Sequence, residues 1–517
     1  MFADVRALPM VVAAKRLIER RGAAVTAALW TLAYLAVCIT GQVFSVAYLE
    51  YGWQIIPWTV LRDDPLGSVW YLHTQPPLWN LAIGGAAKLS PFSDALTLRG
   101  LMFVLGFATA WLLYNVLKAF GLRSFTALAL TLAMLLNPEV FQWVFGPTYE
   151  LAITFLLVAV VRTAQRFLQN RRGSDLVWCS VSVTALVLTR SLYHPLLIVI
   201  LLAALIAATR RHVSWKPILV SCAIPVVLVG GWMLKNEVLF GRATLSSWLG
   251  MNLQRSTLPI LPTAELNAMH DAGELSDIAV IGHFGNYDLY KDSMPPCTPT
   301  HDHPAVSMPG HADPEGTIIP NFNYECFLPI YDKSYHDFWA VATKYPSVWY
   351  EGRFVSTKIT FATSTVNGRS GSVLMRGLDR VYRLARLDVT AHQSGETWGM
   401  PLVGLSSFDF SASLMTAGLY LVLTLYAVVV LWRWLVAWRR RRRSPSALDD
   451  DPHRRVVLGT ILVVALLSLC TVVVGVVAEL GEQARFRSVC DPIALSVGLI
   501  LAARMLRHWL AEPADQA

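Results

Sequence analysis

Carboxylates and arginines collect in short polar stretches between apolar segments, and the two types together suggest proton abstraction beside an anion. Arg62 to Asn80 reads RDDPLGSVWYLHTQPPLWN, with Asp63, Asp64, His73 and Gln75 in nineteen residues. Tyr149 and Glu150 follow a short turn that also holds Asn137 and Glu139. Arg190 and His194 occupy another turn, and Lys235, Asn236 and Glu237 close a further apolar run. Glu479, Glu482, Arg485 and Arg487 stand in AELGEQARFRSVCDP. Arginine recognises phosphate through a planar fork of donors, and a carboxylate serves as base or metal ligand. A phosphate held by arginine next to an acid that deprotonates an acceptor uses both. The structural alternative is a set of loop-stabilising salt bridges, Glu482 with Arg485 for example.

The elements that must position these groups are membrane spans. Hydrophobic residues make up 55% of the chain and charged ones 15%, with a mean hydropathy of +0.47, which excludes a water-soluble globule. The formal net charge of +8 comes from Lys and Arg bunched at the ends of apolar runs, a positive-inside pattern rather than a nucleic-acid-binding face. Runs able to cross ~30 Å of hydrocarbon lie near 24–47, 98–120, 124–143, 149–168, 192–208, 217–234, 411–436, 456–478 and 488–507, and 176–189 is a shorter tenth. Arg20-Arg21 precedes the first run and no small-residue cleavage site follows it, so an uncleaved anchor with a cytoplasmic start is expected.

Alternation from that start tests the count. If 176–189 spans, five basic clusters fall on the cytoplasmic side: Lys118 with Arg123, Arg166 with Arg171 and Arg172, Arg210 with Arg211 and Lys216, Arg439 to Arg443, and Arg504 with Arg507. The expected fold is an all-α polytopic membrane protein with about ten transmembrane helices. It has a seven-span module over 1–234 whose first outer loop is 48–97, an extracytoplasmic insert over 235–410, and a three-span module over 411–517. The stretch 78–96 behind Pro76-Pro77 is too short to span and is expected to be an interfacial helix on the outer surface.

The insert reads as irregular loop over 282–325, where Pro, Gly, Asn, Asp and His are dense. Tyr335, Phe338, Trp339, Val341, Ala342, Trp349 and Phe354 at helical spacing predict amphipathic helices over 331–363 on the membrane surface. Its apolar content is too thin to mark an independent domain. The seven cysteines form no CxxC pair. Cys297 and Cys326 lie in the insert, where an extracytoplasmic setting permits a disulfide, and the other five read as small hydrophobes in or beside spans. His301, Asp302, His303 and His311 read as a histidine-containing loop ahead of a metal site.

An N-terminal anchor, an outer loop with acids, and then His73-Thr74-Gln75-Pro76-Pro77-Leu78 resemble the GT-C class of integral membrane glycosyltransferases. The likeness is to the family that includes protein O-mannosyltransferases and the lipid A aminoarabinose transferase, a glycosyltransferase family 39-like pattern. Arg99 at a span start, GRATLSSWLGMNL from Gly241 to Leu253 and the Glu/Arg turn from Glu479 to Pro492 are similar in order. The resemblance implies transfer of a hexose or pentose from a polyprenyl phosphate-linked donor to a glycan, lipid or protein acceptor. The reaction would be an inverting displacement at the extracytoplasmic face of a bacterial inner or plasma membrane.

The resemblance maps the base onto the first-loop acids. Their pair sits closer to His73 than in the family and Glu50 holds the span-end position, so the choice stays open in the order Asp64, Asp63, Glu50. Arg190, Arg485 and Arg487 are then the clamp on the donor phosphate, with His73 and His194 beside them. Tyr149, Glu150, Gln75 and Glu482 are the candidates for sugar or acceptor contact. No cofactor is required, although Glu150 with the first-loop acids could share a divalent cation. Membrane lipids are further expected partners, and nucleic acid is not. Two other classes stand against this reading. A lipid transporter or flippase should show paired repeats and broken helices at the bilayer midplane, and a non-catalytic scaffold would leave the acids without a shared cavity.

Overall fold

The computed structural model of the chain describes residues 9–209, 213–313, 315–363, 372–393, 408–441, 451–479 and 482–511. It is an all-α polytopic membrane protein. The sheet among the described residues is limited to two antiparallel strand pairs, Gly310–Ala312 with Ile318–Pro320 and Asp388–Gln393 with Phe408–Ser413. Six described helices are long and apolar enough to cross a bilayer: Lys15–Ile39, Asp94–Ala119, Tyr149–Asn170, Trp215–Phe240, Leu414–Val436 and His453–Ala478. The bent pair Ser124–Leu135 and Pro138–Phe145 makes a seventh if it is one span. Gly173–Thr189 and Leu196–Ala208 are shorter apolar helices, and Asp491–Ala511 closes the series. A helix therefore stands at each apolar run of the sequence, while six to seven meet the length and composition of a span.

Helix bounds depart from the apolar runs where local chemistry ends a helix. The first helix, Pro9–Ile39, stops short of 47 because Gly41 turns the chain at φ 102°, a conformation open to glycine. The run 124–143 breaks at Asn137-Pro138. A residue before proline is driven out of the α region, Asn137 sits at ψ 122°, and the two halves bend by 66°. Asn137 then caps the second half by accepting from the Glu139 N–H. The 217–234 run continues to Phe240 through the π-helical segment Val226–Gly230, which follows Pro225.

Small residues set the closest packing. A Cβ on Gly106 would lie 2.4 Å from Trp30, and one on Gly22 would lie 1.9 Å from Tyr114, so the helices Pro9–Ile39 and Asp94–Ala119 approach at glycine. The Tyr149–Asn170 helix is central. It packs on Asp94–Ala119, Gly173–Thr189 and Pro452–Ala478, burying Leu157, Val160, Val161 and Phe167.

Leu78–Leu89 follows the double proline as a twelve-residue helix that buries Trp79, Asn80 and Ile83. Beyond Gly241 the chain has more core than its composition suggested. Trp248, Phe284, Phe322, Phe327 and Tyr331 form one apolar cluster, and Leu258, Ile260, Met269, Val341 and Val348 form another. Leu328–Lys344 and Pro346–Thr360 are helices at the place expected for amphipathic ones. Cys297 and Cys326 form a disulfide, Cα atoms 5.9 Å apart, that ties the irregular stretch to the aromatic cluster. Replacing both with alanine is expected to destabilise this region by about 2–4 kcal/mol, read as faster limited proteolysis within 282–325. Unchanged proteolysis would mean that the aromatic cluster alone holds the loop.

Candidate functional site

The segment after the Pro65–Trp70 helix is clasped by distant parts of the chain. His73 is 1% exposed. Its Nε2 lies 3.0 Å from the Asn323 carbonyl, which can only accept, so Nε2 carries the proton and Nδ1 accepts from Ser247 Oγ at 2.7 Å. Asn323 Oδ1 accepts from the N–H groups of His73 and Thr74, and its amide donates to the carbonyls of Tyr71 and Ala305. Lys235 Nζ donates to Leu72 O at 2.7 Å. Burial holds the His73 pKa down at about 3. The ring is therefore neutral at physiological pH with both nitrogens engaged, a clasp rather than a spare phosphate donor.

Gln75 and Pro76 leave the clasp and line a crevice of about 220 Å³, mouth included, with Gln54, Trp79, Asn80, Tyr149, Thr189 and Arg190. The space it encloses is only about 10 Å³, room for a single water-sized group. Arg190 caps the end of the Gly173–Thr189 helix. Its guanidinium lies between the rings of Tyr149 at 4.2 Å and Phe486 at 4.3 Å. Burial, with Arg485 adding repulsion, lowers its pKa to about 10, which leaves it charged at neutral pH.

Arg485 is saturated where Arg190 is not. It donates from Nε to Glu150 Oε1 at 2.5 Å, from Nη1 to Glu482 Oε1 at 3.1 Å and from Nη2 to the Tyr48 hydroxyl at 3.2 Å. Burial alone would raise the pKa of Glu482, but Arg485, Arg190 and Arg255 outweigh it and hold the carboxyl below its usual value. Glu150 is 1% exposed. Arg190 Nη1, Trp79 Nε1, the Tyr149 hydroxyl and Glu150 Oε2 are among the buried polar atoms of the described residues without a hydrogen-bond partner, as are others elsewhere such as Trp143 Nε1, Arg386 Nε and Arg487 Nε. Buried polar atoms are nearly always paired. Arg190, Trp79 and Tyr149 line the crevice, and donors left open there are suited to a ligand that carries acceptor oxygens.

Arg487 turns away from this place. Two residues along the same helical turn, Gln483–Ser488, its side chain meets Asp491 at 2.6 Å and Glu139 at 3.2 Å. Glu139 also takes Arg386 at 2.8 Å, and Arg386 reaches Asp388 at 3.1 Å. These buried charges pair with one another, although Arg386 Nε, Asp388 Oδ1 and Arg487 Nε are left without a hydrogen-bond partner.

The first-loop acids are at the surface. Asp64 caps Pro65–Trp70 by accepting from the Gly67 N–H at 3.0 Å and faces His303 Nε2 at 3.4 Å. The Gly67 N–H first and His303 second hold its carboxyl below the usual range. Asp63 is exposed, and its carbonyl accepts from Lys88. Glu50 lies 3.5 Å from His311. His194 is exposed, with Nδ1 accepting from the Leu196 N–H at 3.2 Å. Gln75, Tyr149, Glu150, Arg190, Glu482 and Arg485 thus come together, whereas Asp63, Asp64, His73, His194 and Arg487 lie outside the group.

Sequence reasoning missed Trp79, Gln54 and Tyr48, which carry no charge to mark them, and also Arg386, whose partner Glu139 is far along the chain. Among the described residues no cluster of three or more His, Cys, Asp or Glu side chains is disposed to hold a metal ion. In comparisons with known proteins, no family model, no curated protein and no solved structure matches the chain.

Two predictions follow from the charges. Arg487→Met leaves Glu139 and Asp491 buried and short of a partner, and should lower stability by about 3–5 kcal/mol in denaturant unfolding, while Arg190→Met should lower it far less. Equal losses would place Arg190 in the fold rather than in a site. The second concerns pH. The His73 clasp is fully stabilising above the unfolded value near 6.5 and weakens as pH falls from there towards about 3, because the unfolded chain binds the proton first. His283, also held near 3 by burial, adds a slope of the same sign. Thermal unfolding between pH 7 and pH 5 should therefore show acid destabilisation of up to about 1.4 kcal/mol per unit for each histidine, reduced in His73→Gln. An unchanged slope in that variant would exclude the clasp as its source.

Proposed function

We propose that the protein is a membrane glycosyltransferase that moves a hexose or pentose from a polyprenyl phosphate-linked donor to a glycan, lipid or protein acceptor. The observation that carries this reading is the set of unpaired buried donors on residues that line the crevice, Arg190 Nη1, Trp79 Nε1 and the Tyr149 hydroxyl, with Glu150 next to Tyr149 in the chain and its Oε2 also unpaired. Arginine and indole donors suit a phosphate, and a carboxylate oxygen suits a sugar or acceptor hydroxyl. In this scheme ten helices span the membrane with both ends cytoplasmic, which the basic clusters at alternate helix ends support. The extracytoplasmic position of the insert is supported by its disulfide.

In the reaction, the acceptor hydroxyl gives its proton to a carboxylate while its oxygen attacks the anomeric carbon. The bond from that carbon to the phosphate oxygen breaks, and the electron pair leaves on a phosphate stabilised by Arg190. A phosphate leaving group needs no general acid. We assign the base to Glu150, which Arg485 holds by one oxygen with the other open. Asp64 and Asp63 are the alternative, though Asp64 already serves as a helix cap. A divalent cation is not required by this scheme. The bent helix pair at Asn137-Pro138 is a feature that a lipid transporter would share, but Glu139 at its break is committed to two arginines.

The test is sugar transfer from a radiolabelled polyprenyl phosphate sugar by the purified protein. Glu150→Gln should lower the rate by about 10²–10⁴, and Arg190→Gln by about 10²–10³, with both variants folded. Asp63→Asn with Asp64→Asn should leave transfer largely intact. Loss in the double variant with activity kept in Glu150→Gln would move the base to the first loop, and donor lipid flipped but never cleaved would replace the enzyme with a transporter.

A further inference from the structure

Among the described helices, Val373–Ala385 separates apolar from basic residues most sharply, and nothing in the site uses it. Its inner side is Met375, which is buried, and Tyr382, whose hydroxyl donates to Ala133 O at 2.6 Å. At ~100° per residue, Val373, Leu374, Val381 and Leu384 share one flanking arc, and they are 67%, 37%, 61% and 79% exposed. Arg376, Arg380 and Arg383 share the opposite flank and are also exposed. The single acid of the helix, Asp379, is paired with Arg383 at 2.8 Å. Leu387, just past the end, extends the exposed apolar surface.

The helix lies across the ends of membrane-crossing elements. Ser372, its N-cap, shares a 2.8 Å hydrogen bond with Thr40, the residue after the Lys15–Ile39 span. Ala133 lies in the last turn of Ser124–Leu135, and Arg386 meets Glu139 at the break of the bent pair. These contacts place the helix at the ends of the candidate spans.

We propose that Val373–Ala385 is an interfacial anchor that binds anionic lipid, with its apolar arc in the acyl boundary and its arginine flank on lipid phosphates. The inner side is taken by protein, and the residues of both flanks are exposed, Arg383 in contact with Asp379. An arc of leucine and valine beside an arc of arginine matches the surface of a leaflet that contains anionic lipid, apolar below and negative above. A second copy of the chain could cover the apolar arc, but the only acid on the helix is already paired and offers nothing to the arginines of a copy.

The test uses the full chain reconstituted in phosphatidylcholine vesicles with or without phosphatidylglycerol. Cys222 is an exposed free cysteine, so Leu384→Cys is labelled with a fluorophore in a Cys222→Ser background. Leu289→Cys, at a position 59% exposed in the insert, is the reference. Nitroxide-bearing lipid should quench the label at 384 several-fold more than the label at 289, and aqueous iodide should do the reverse. Phosphatidylglycerol should widen the difference, and Arg376→Gln with Arg380→Gln and Arg383→Gln should abolish that widening while the 289 label still reports a folded insert. A 384 label as open to iodide as the 289 label overturns the anchor. Shielding from both quenchers means that protein covers the face, which overturns it as well. Quenching by lipid that ignores phosphatidylglycerol removes the anionic-lipid assignment.

Discussion

A charge held where water is scarce has to be paired, and the state of each buried arginine in this molecule follows from how completely that requirement is met. Arg487 and Arg386 are ion-paired with Glu139, Asp388 and Asp491, which holds helices together, though each keeps one unpaired Nε. Arg485 is divided between Glu150 and Glu482, so it fixes the direction of two carboxylates and has little left for a ligand. Arg190 rests on two aromatic rings, which attract a cation but fill none of its hydrogen-bonding positions. Arg190 is thus the arginine of this group held by rings rather than by carboxylates.

The crevice depends on the insert for its shape. Asn323 holds His73 and Thr74 by their backbone N–H groups, and Gln75 and Pro76 follow directly into the crevice wall. Asn323 stands three residues before Cys326, so the disulfide limits the movement of the clasp that positions Gln75. Lys235, at the end of the Trp215–Phe240 helix, holds the same segment from the membrane side through Leu72 O. The loop is thereby fixed to a spanning helix and to the insert at once.

Much of this was legible in the sequence, and the rest failed for identifiable reasons. Apolar runs located the helices because burial in lipid demands continuous hydrophobicity, and the Asn137-Pro138 break follows from the local restriction that proline imposes on its neighbour. The pairing of Glu482 with Arg485 was open to a reading at three-residue spacing. Asp64 misled: beside Asp63 it looks like half of an acid pair, yet Asp-Pro-x-Gly is also the pattern of a helix cap with proline at the first position. His73 could not be placed, because its partners Ser247 and Asn323 lie 174 and 250 residues away. Arg485 and Arg487 were grouped because they are neighbours in sequence, but a helix sends residues two apart to different faces.

The buried charges also join parts of the molecule that sequence separates widely. Arg386 follows the amphipathic helix Val373–Ala385 and binds Glu139 at the bend of the Ser124–Leu135 and Pro138–Phe145 pair. Glu139 binds Arg487, and Arg487 shares one short helix with Arg485, which holds Glu150. A displacement of the surface helix therefore cannot occur without stretching a buried ion pair or moving the turn that aims the carboxylate. Contiguity of this kind is the physical condition for coupling between distant places. Here it runs through charges whose separation in a poorly solvated setting is strongly opposed, and the short helix Gln483–Ser488 carries an arginine from each of the two groups.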